Sequence, residues 1–360
     1  MARTAPLFEV KEVDRRFYAG RLAAFLPDEL IDVHTHVWRS DDFPRADPSP
    51  DDHRAVTWPA LVARDNPIED LLETYRLLLP GKRVTPLIFG TLPKGGNLDV
   101  QNRYVAECSR RARVPALIFS DPAWSAAELE DRTLAGGFIG AKSYLTLAPA
   151  YLPTREIRIF DFFPPHQLDV HSRHGWIVML HIPRDDRLRD PVNLAQMLRI
   201  EQEYPGLRLI IAHVGRAYCA EDVGDAFEVL AQTRRMSFDI SASTNDHVFE
   251  QLLRCVGPKR VLFGSDMPIL RMRMRRITRE GHYVNVVPKG LYGDVSGDKN
   301  MAEVDGAEAE KLTFFLYEEI DAFRRTAERV GLSRSDIEDV CCNNARRLIA
   351  GASGEGLDAL

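Results

Sequence analysis

The chain has 360 residues, 45% hydrophobic and 28% charged, with a formal net charge of -6. These are ordinary proportions for a soluble globular protein, and the acidic balance argues against a nucleic acid or an anionic membrane surface as the main partner. One large domain is expected, since α/β barrels reach this length around a single core. The five cysteines (Cys108, Cys219, Cys255, Cys341, Cys342) are odd in number and lack CxxC spacing, so they read as reduced thiols. Arg3, Lys11, Asp14, Arg15 and Arg16 interrupt any leader-like apolar run before Leu30, and no stretch is long enough to span a bilayer. The cytoplasm is the expected address.

Taken in chain order, short apolar runs alternate with amphipathic ones. Residues 1–29 read as an N-terminal extension. The first strand, Leu30 to Val37, ends in His34-Thr35-His36, and an Asp- and Pro-rich loop follows from Ser40 to Ala60. A helix opens at Pro67 and runs to about Leu79, before a strand over Val84 to Gly90. The third strand is Pro115 to Ser120. Ser125 and Glu128 then form a capping box for a helix that Gly136-Gly137 ends, ahead of a strand over Phe138 to Ser143. The fifth strand is Trp176 to His181. Pro191 starts a helix that Pro205-Gly206 stops, and strands follow at Leu207 to His213, Ser237 to Ser241 and Arg260 to Asp266. Arg271 to Glu310 reads as a second long loop with turns at Pro288, Gly290, Gly293 and Gly297, expected to fold over the mouth as a lid. Leu312 to Val330, Ser333 to Val340 and Asn344 to Ile349 read as closing helices, and 351–360 as a tail.

Eight strands joined by helices mean parallel pairing with right-handed crossovers, for which a single (β/α)8 barrel spanning 30–350 is the economical solution. Its active site lies at the strands' C-terminal ends. Four of those ends carry metal-ligand residue types, at His34 and His36, His181, His213 and Asp266. Residues i and i+2 of a strand share a face, so His34 and His36 can share one ion. For any one histidine alone, a buried, hydrogen-bonded imidazole is the ordinary alternative.

The motifs Ile31-Asp-Val-His-Thr-His36, Gly137-Phe-Ile-Gly-Ala-Lys142, His181, Ile211-Ala-His-Val-Gly215, Leu262-Phe-Gly-Ser-Asp-Met-Pro268 and Asn343-Asn-Ala-Arg-Arg-Leu348 resemble the metal-dependent amidohydrolase superfamily. The resemblance spans about Leu30 to Ile349 and is nearest to the branch holding aminocarboxymuconate-semialdehyde and resorcylate decarboxylases together with hydrolases. It implies His34, His36, His181 and Asp266 as ligands of a divalent metal, with zinc expected and manganese the alternative, as one ion or two. It implies that Asp266 takes a proton from water and that His213 holds a second ion or polarises the substrate carbonyl. Lys142 is then either a carbamylated bridge between two ions or a cationic substrate anchor.

Arg39, Arg184, Arg216, Arg271 and Arg273 follow the same strand ends, which suits a small anionic substrate. Arg39, Tyr144, Arg184 and Arg271 are the substrate-binding candidates, with Trp38 and Tyr218 as further wall residues. His53, His166, His171, His174, His247 and His282 are expected on the surface, with His247 and His282 able to approach the site. The expected protein is a hydrolase of a small carboxylated substrate, assembled as a homodimer. A decarboxylase using the same residues and a non-catalytic ligand-binding barrel are the alternatives.

Overall fold

A computed structural model describes residues 6–42, 62–91 and 97–354. The eight strands are β1 (Glu29–His36), β2 (Arg83–Phe89), β3 (Ile118–Phe119), β4 (Gly140–Lys142), β5 (Ile177–Leu180), β6 (Arg208–Ile211), β7 (Ser237–Asp239) and β8 (Val261–Leu262). Neighbours pair in parallel from β1 to β2 and in order from β3 to β8. Two seams complete the ring. Between β2 and β3, Ile88 bridges Ala116 and donates to Pro115 O at 3.0 Å. Between β8 and β1, Thr35 bridges Met267, while Val33 N donates to Phe263 O at 3.1 Å and His36 N to Met267 O at 2.9 Å. Close approach is built in at Gly140, where a Cβ would fall 2.0 Å from Ile177 O of the neighbouring strand.

Strand alternation divides the apolar residues between two cores. Ile31, Val33, Phe89, Ile177, Met179, Ile210 and Leu262 fill the barrel interior, which Cys342, Ala345 and Ile349 plug from the closing helices. Leu30, Ile88, Val178, Leu180 and Phe238 face outward against the helices.

The expected helices form with the expected signals. Ser125 accepts from Glu128 N ahead of Ala126–Gly136, which ends at a left-handed Gly137. Pro191 is the first residue of Pro191–Glu203 and Asp190 caps it. Among the described residues, no helix is long and apolar enough to cross a membrane.

Three differences from the sequence reading have physical causes. Strands β6 and β8 stop short of the polar residues that end their apolar runs, because the chain turns sharply there through positive φ at His213 (106°) and Asp266 (52°). The segment after β8 is not a plain loop. It carries a hairpin of β9 (Arg275–Arg279) and β10 (His282–Pro288), extended by β11 (Met301–Val304). The half-buried Arg276 guanidinium packs on Tyr218, Tyr283 and Phe315 at 4.6 to 4.8 Å and donates to Asn285 Oδ1 at 2.8 Å, fixing the hairpin against the turn after β6. Third, His171 is fully buried in the helix Pro165–His174, not on the surface. His174 is half-buried, His166 is exposed, His247 and His282 are exposed and outside the histidine cluster described below, and His53 lies outside the described residues.

Both long excursions have pinned necks. Trp38 and Asn66 exchange backbone hydrogen bonds at 3.0 and 3.1 Å, and most of the first excursion lies outside the described residues. Beyond β8, Arg273 bridges Phe314, Met274 N donates to Thr313 O at 2.9 Å and Phe315 N to Met272 O at 2.7 Å. Asp14 of the N-terminal helix Glu12–Phe17 is fully buried here, paired with Arg273 at 2.6 Å and accepting from Thr313.

Burial, assisted by the nearby His174, lowers the pKa of His171 to about 3, and neither ring nitrogen has a hydrogen-bond partner. Between about pH 6.5 and 3 the unfolded chain therefore binds a proton that the folded chain refuses, so stability falls as pH drops through that window. His171→Phe should lose less stability than the wild type between about pH 7 and pH 5 in urea titrations. An identical loss in both proteins would show that His171 does not carry this dependence.

Candidate metal centre

Alternation along the strands aims several polar side chains into the top of the barrel. Lys142 follows Gly140 on the inner face of β4, His181 follows Ile177 and Met179 on β5, and Asp266 follows Leu262 and Gly264 beyond β8. On β1, Ile31 and Val33 point inward, so strict alternation would send His34 and His36 outward. The pairing with β2 slips between Asp32 and Thr35, and past this irregularity both imidazoles pack on the inward-facing Phe89 ring, at 5.2 and 4.6 Å. His213 enters through its left-handed turn after β6. Gly264 lets β8 approach closely, since a Cβ there would meet His34 Cβ at 3.0 Å.

The four imidazoles form a continuous group. Ring centroids lie 5.6 Å apart for His36 and His34, 4.3 Å for His34 and His213, and 5.2 Å for His213 and His181. Asp266 Oδ1 lies 3.5 Å from His34 Nε2 and 3.3 Å from His36 Nε2.

Hydrogen bonds on the far side of each ring set its tautomer. His36 Nδ1 donates to Gly90 O at 2.8 Å. His34 Nδ1 donates to Asp239 Oδ2 at 3.0 Å. Asp239 Oδ1 also accepts the Ser241 hydroxyl, so the Ser241 oxygen accepts from His213 Nδ1 at 2.7 Å. All three rings therefore keep the Nε2 lone pair free.

His34, His213 and Asp239 also lie close enough together to hold an ion. The 3.0 Å Nδ1 contact and the hydroxyl link make this trio a hydrogen-bonded brace. The trio His34, His36 and Asp266 fits an ion better. Donors bound tetrahedrally at ~2.0–2.1 Å sit about 3.3 Å apart, which matches the two Asp266 distances. Two buried atoms without hydrogen-bond partners, Lys142 Nζ and His181 Nδ1, belong to the same inner group.

Burial opposes the charge on Asp266, but the surrounding imidazoles of His36, His34 and His213 outweigh it and hold the carboxyl below its ordinary range. Burial, partly offset by Asp266 and Asp239, lowers Lys142 to about 8. Burial likewise keeps His34 and His181 neutral, as a ligand imidazole must be.

The remaining candidates are dispersed. The Tyr144 ring packs on His181 at 4.7 Å. Arg39 is exposed and stacks on Tyr104 at 4.4 Å. Arg184 lies 3.6 Å from Asp190, and Arg271 is buried, donating to Asn66 at 3.2 Å and Thr74 at 3.5 Å. Arg216 Nη1 donates to the carbonyls of Ile182, Pro183 and Arg184 at 3.1 to 3.2 Å and so ties down the turn after His181. Trp38 donates to Arg64 O at 2.9 Å, and Tyr218 packs on Tyr283 of the hairpin.

Sequence reasoning missed Asp239 and Ser241. Their inward parity on β7 was the available signal, since alternation with the outward Phe238 places both in the barrel.

The Amidohydrolase family model matches residues 31–290. No curated protein sequence matches the chain. Among solved structures, an amidohydrolase from Burkholderia multivorans with bound HEPES aligns at 14% identity and a TM-score of 0.56, covering 89% of this chain and 99% of that one. A probable 2-pyrone-4,6-dicarboxylic acid hydrolase from Acinetobacter baumannii, with citric acid bound, aligns at 13% identity and 0.52, covering 89% and 99%. A dihydroxybenzoic acid decarboxylase from Polaromonas sp. JS666, with manganese and 2-nitroresorcinol, aligns at 15% and 0.52, covering 90% and 97%. At these identities the likeness is one of fold, and it agrees with the closed eight-stranded ring. The family match covers most of the chain, including every one of the clustered histidines and aspartates: the protein belongs to the amidohydrolase family.

Proposed function

We propose that the protein is a divalent-metal-dependent hydrolase acting on a small carboxylated substrate. The observation that carries this reading is the approach of His34 Nε2 and His36 Nε2 to one Asp266 oxygen, with both Nδ1 atoms already engaged. His34, His36, His181 and Asp266 would hold the ion, which supplies a Lewis acid that polarises an oxygen and makes water acidic enough to react near neutral pH. One ion is the simpler reading, with zinc as its identity. Asp266 receives the proton of the attacking water and passes it to the leaving group, since it is ionised and sits among the clustered imidazoles. His213, donating from Nδ1, presents a lone pair at Nε2. That suits a ligand or proton acceptor, whereas polarising a carbonyl would require a protonated ring. Lys142, buried and unpaired, anchors the substrate carboxylate beside the Tyr144 ring. The reading includes a homodimer and a cytoplasmic address, the latter supported by five unpaired cysteines.

Protein stripped and reloaded with zinc or manganese, then offered lactones, amides and carboxylated aromatics, tests the activity. Water added across a bond supports the hydrolase, release of carbon dioxide makes it a decarboxylase, and no turnover on any class removes the reading. Asp266→Asn should keep the fold and much of the metal yet lower kcat by about 10²–10⁴-fold. Near-normal turnover at verified metal content would end the proton-transfer role. Asp239→Ala should weaken metal binding by about 10–100-fold through loss of the brace, as measured by titration of the apoprotein. An unchanged Kd would make Asp239 a bystander. Lys142→Met should raise KM for carboxylated substrates at least about tenfold, the loss of one charged hydrogen bond, while sparing a neutral ester analogue. Equal effects on both would argue against a carboxylate anchor.

A further inference from the structure

We infer that Asn66 is a positioning residue that fixes His36 and the turn after Asp266 as one hydrogen-bonded unit, an inference that rests on the metal-centre reading above. Asn66 is 1% exposed and uses both ends of its amide. Nδ2 donates to His36 O at 2.6 Å, and Oδ1 accepts from Arg271 Nη2 at 3.2 Å. Its backbone is held by the paired bonds to Trp38, two residues beyond His36.

Each arm of the amide reaches a different side of the centre. The His36 ring is already tethered through Nδ1 to Gly90 O at 2.8 Å, so the bond at its own carbonyl removes the remaining freedom of the strand end. Arg271 belongs to the tight turn that begins at Asp266: Ile269 N donates to Asp266 O at 2.9 Å and Arg271 N to Pro268 O at 3.0 Å. A displacement of Asn66 is therefore transmitted both to His36 and, through Arg271, to the turn that presents Asp266. The seam hydrogen bond from His36 N to Met267 O, at 2.9 Å, joins the same two segments directly. Asn66 thus closes a loop of bonds around the 3.3 Å gap between His36 Nε2 and Asp266 Oδ1. It comes from a third segment, the neck of the first excursion, so this excursion is mechanically linked to the centre. An amide is suited to the position because one side chain must donate to a carbonyl and accept from a guanidinium.

The test is a metal titration of apoprotein with cobalt(II), read by its visible absorption, and with zinc in competition. Asn66→Ala should raise Kd by about 10–100-fold and alter the cobalt spectrum. Asn66→Asp keeps the acceptor for Arg271 but loses the donor to His36, and should weaken binding comparably. Asn344→Ala is the structural control. It removes a buried amide that donates to Pro258 O and Val261 O, both at 2.8 Å, far along β8 from the centre, and should lower Tm while leaving Kd unchanged. Wild-type Kd and spectrum in both Asn66 variants would overturn the proposal. So would a loss of affinity in Asn344→Ala as large as in Asn66→Ala, because general destabilisation would then explain both. If Asn66→Ala is not recovered folded, Asn66→Asp and Arg271→Lys decide on the same titration. Wild-type protein that takes up no ion would refute the metal reading itself, an outcome distinct from unchanged variants.

Discussion

The barrel closes where β1 meets β8, and one buried carboxylate organises that seam. Asp32 accepts hydrogen bonds from Ser265 N at 2.9 Å, the Ser265 hydroxyl, Tyr75 Oη at 2.8 Å and His34 N at 3.1 Å. Burial raises its pKa to about 7 despite these four donors, so the site is costly to build and depends on every partner being in place. The position of the metal-ligand types follows from it. Asp32 sits at the slip in the β1–β2 register that turns His34 and His36 inward, and it grips the residue immediately before Asp266, whose backbone adopts the unfavourable φ of 52°.

Around this seam the polar residues form two shells with different tasks. Asp239, Ser241 and the Gly90 carbonyl occupy the Nδ1 atoms of three histidines, and this choice of partner leaves their Nε2 atoms free, those of His34 and His36 facing Asp266. Like charges are dispersed by the same design. Asp32 and Asp239 each face hydrogen-bond donors, whereas Glu319, fully buried behind them on the helix Phe315–Val330, is pushed well above the ordinary carboxylate range by burial and by Asp32, and is held neutral.

Most of the barrel was legible because hydrophobic alternation and helix punctuation are local signals. Ser125, Gly137 and Pro191 marked the expected boundaries, and the metal-ligand types stood out at strand ends. Asp32, Asn66 and Asp239 were not legible as site residues. Each is a single polar residue whose partners come from segments up to 233 residues away, and local strand parity, even where it points a residue inward, does not reveal which partners it meets. The β9–β10 hairpin was readable in principle, since Glu280-Gly281, both at positive φ, sit between Ile277-Thr278 and Tyr283-Val284. The turn residues at Pro288, Gly290, Gly293 and Gly297 drew the reading toward one long loop. His171 was misplaced because its helix carries three histidines, and only the tertiary packing around the helix distinguishes the one that is fully buried.

The two pinned necks bear on how such a protein changes. Each excursion departs from a ligand-bearing strand end and is clamped where it returns, at Trp38 and Asn66 for the first and at Arg273 and Phe314 for the second. With the ends already brought together, lengthening or replacing the intervening chain adds little further loop-closure entropy and does not pull on the strands. The barrel thus behaves as a chassis with two sockets. Sequence drift, or deliberate grafting between relatives, can exchange the chain between the clamps while the histidines and Asp266 stay where the seam puts them.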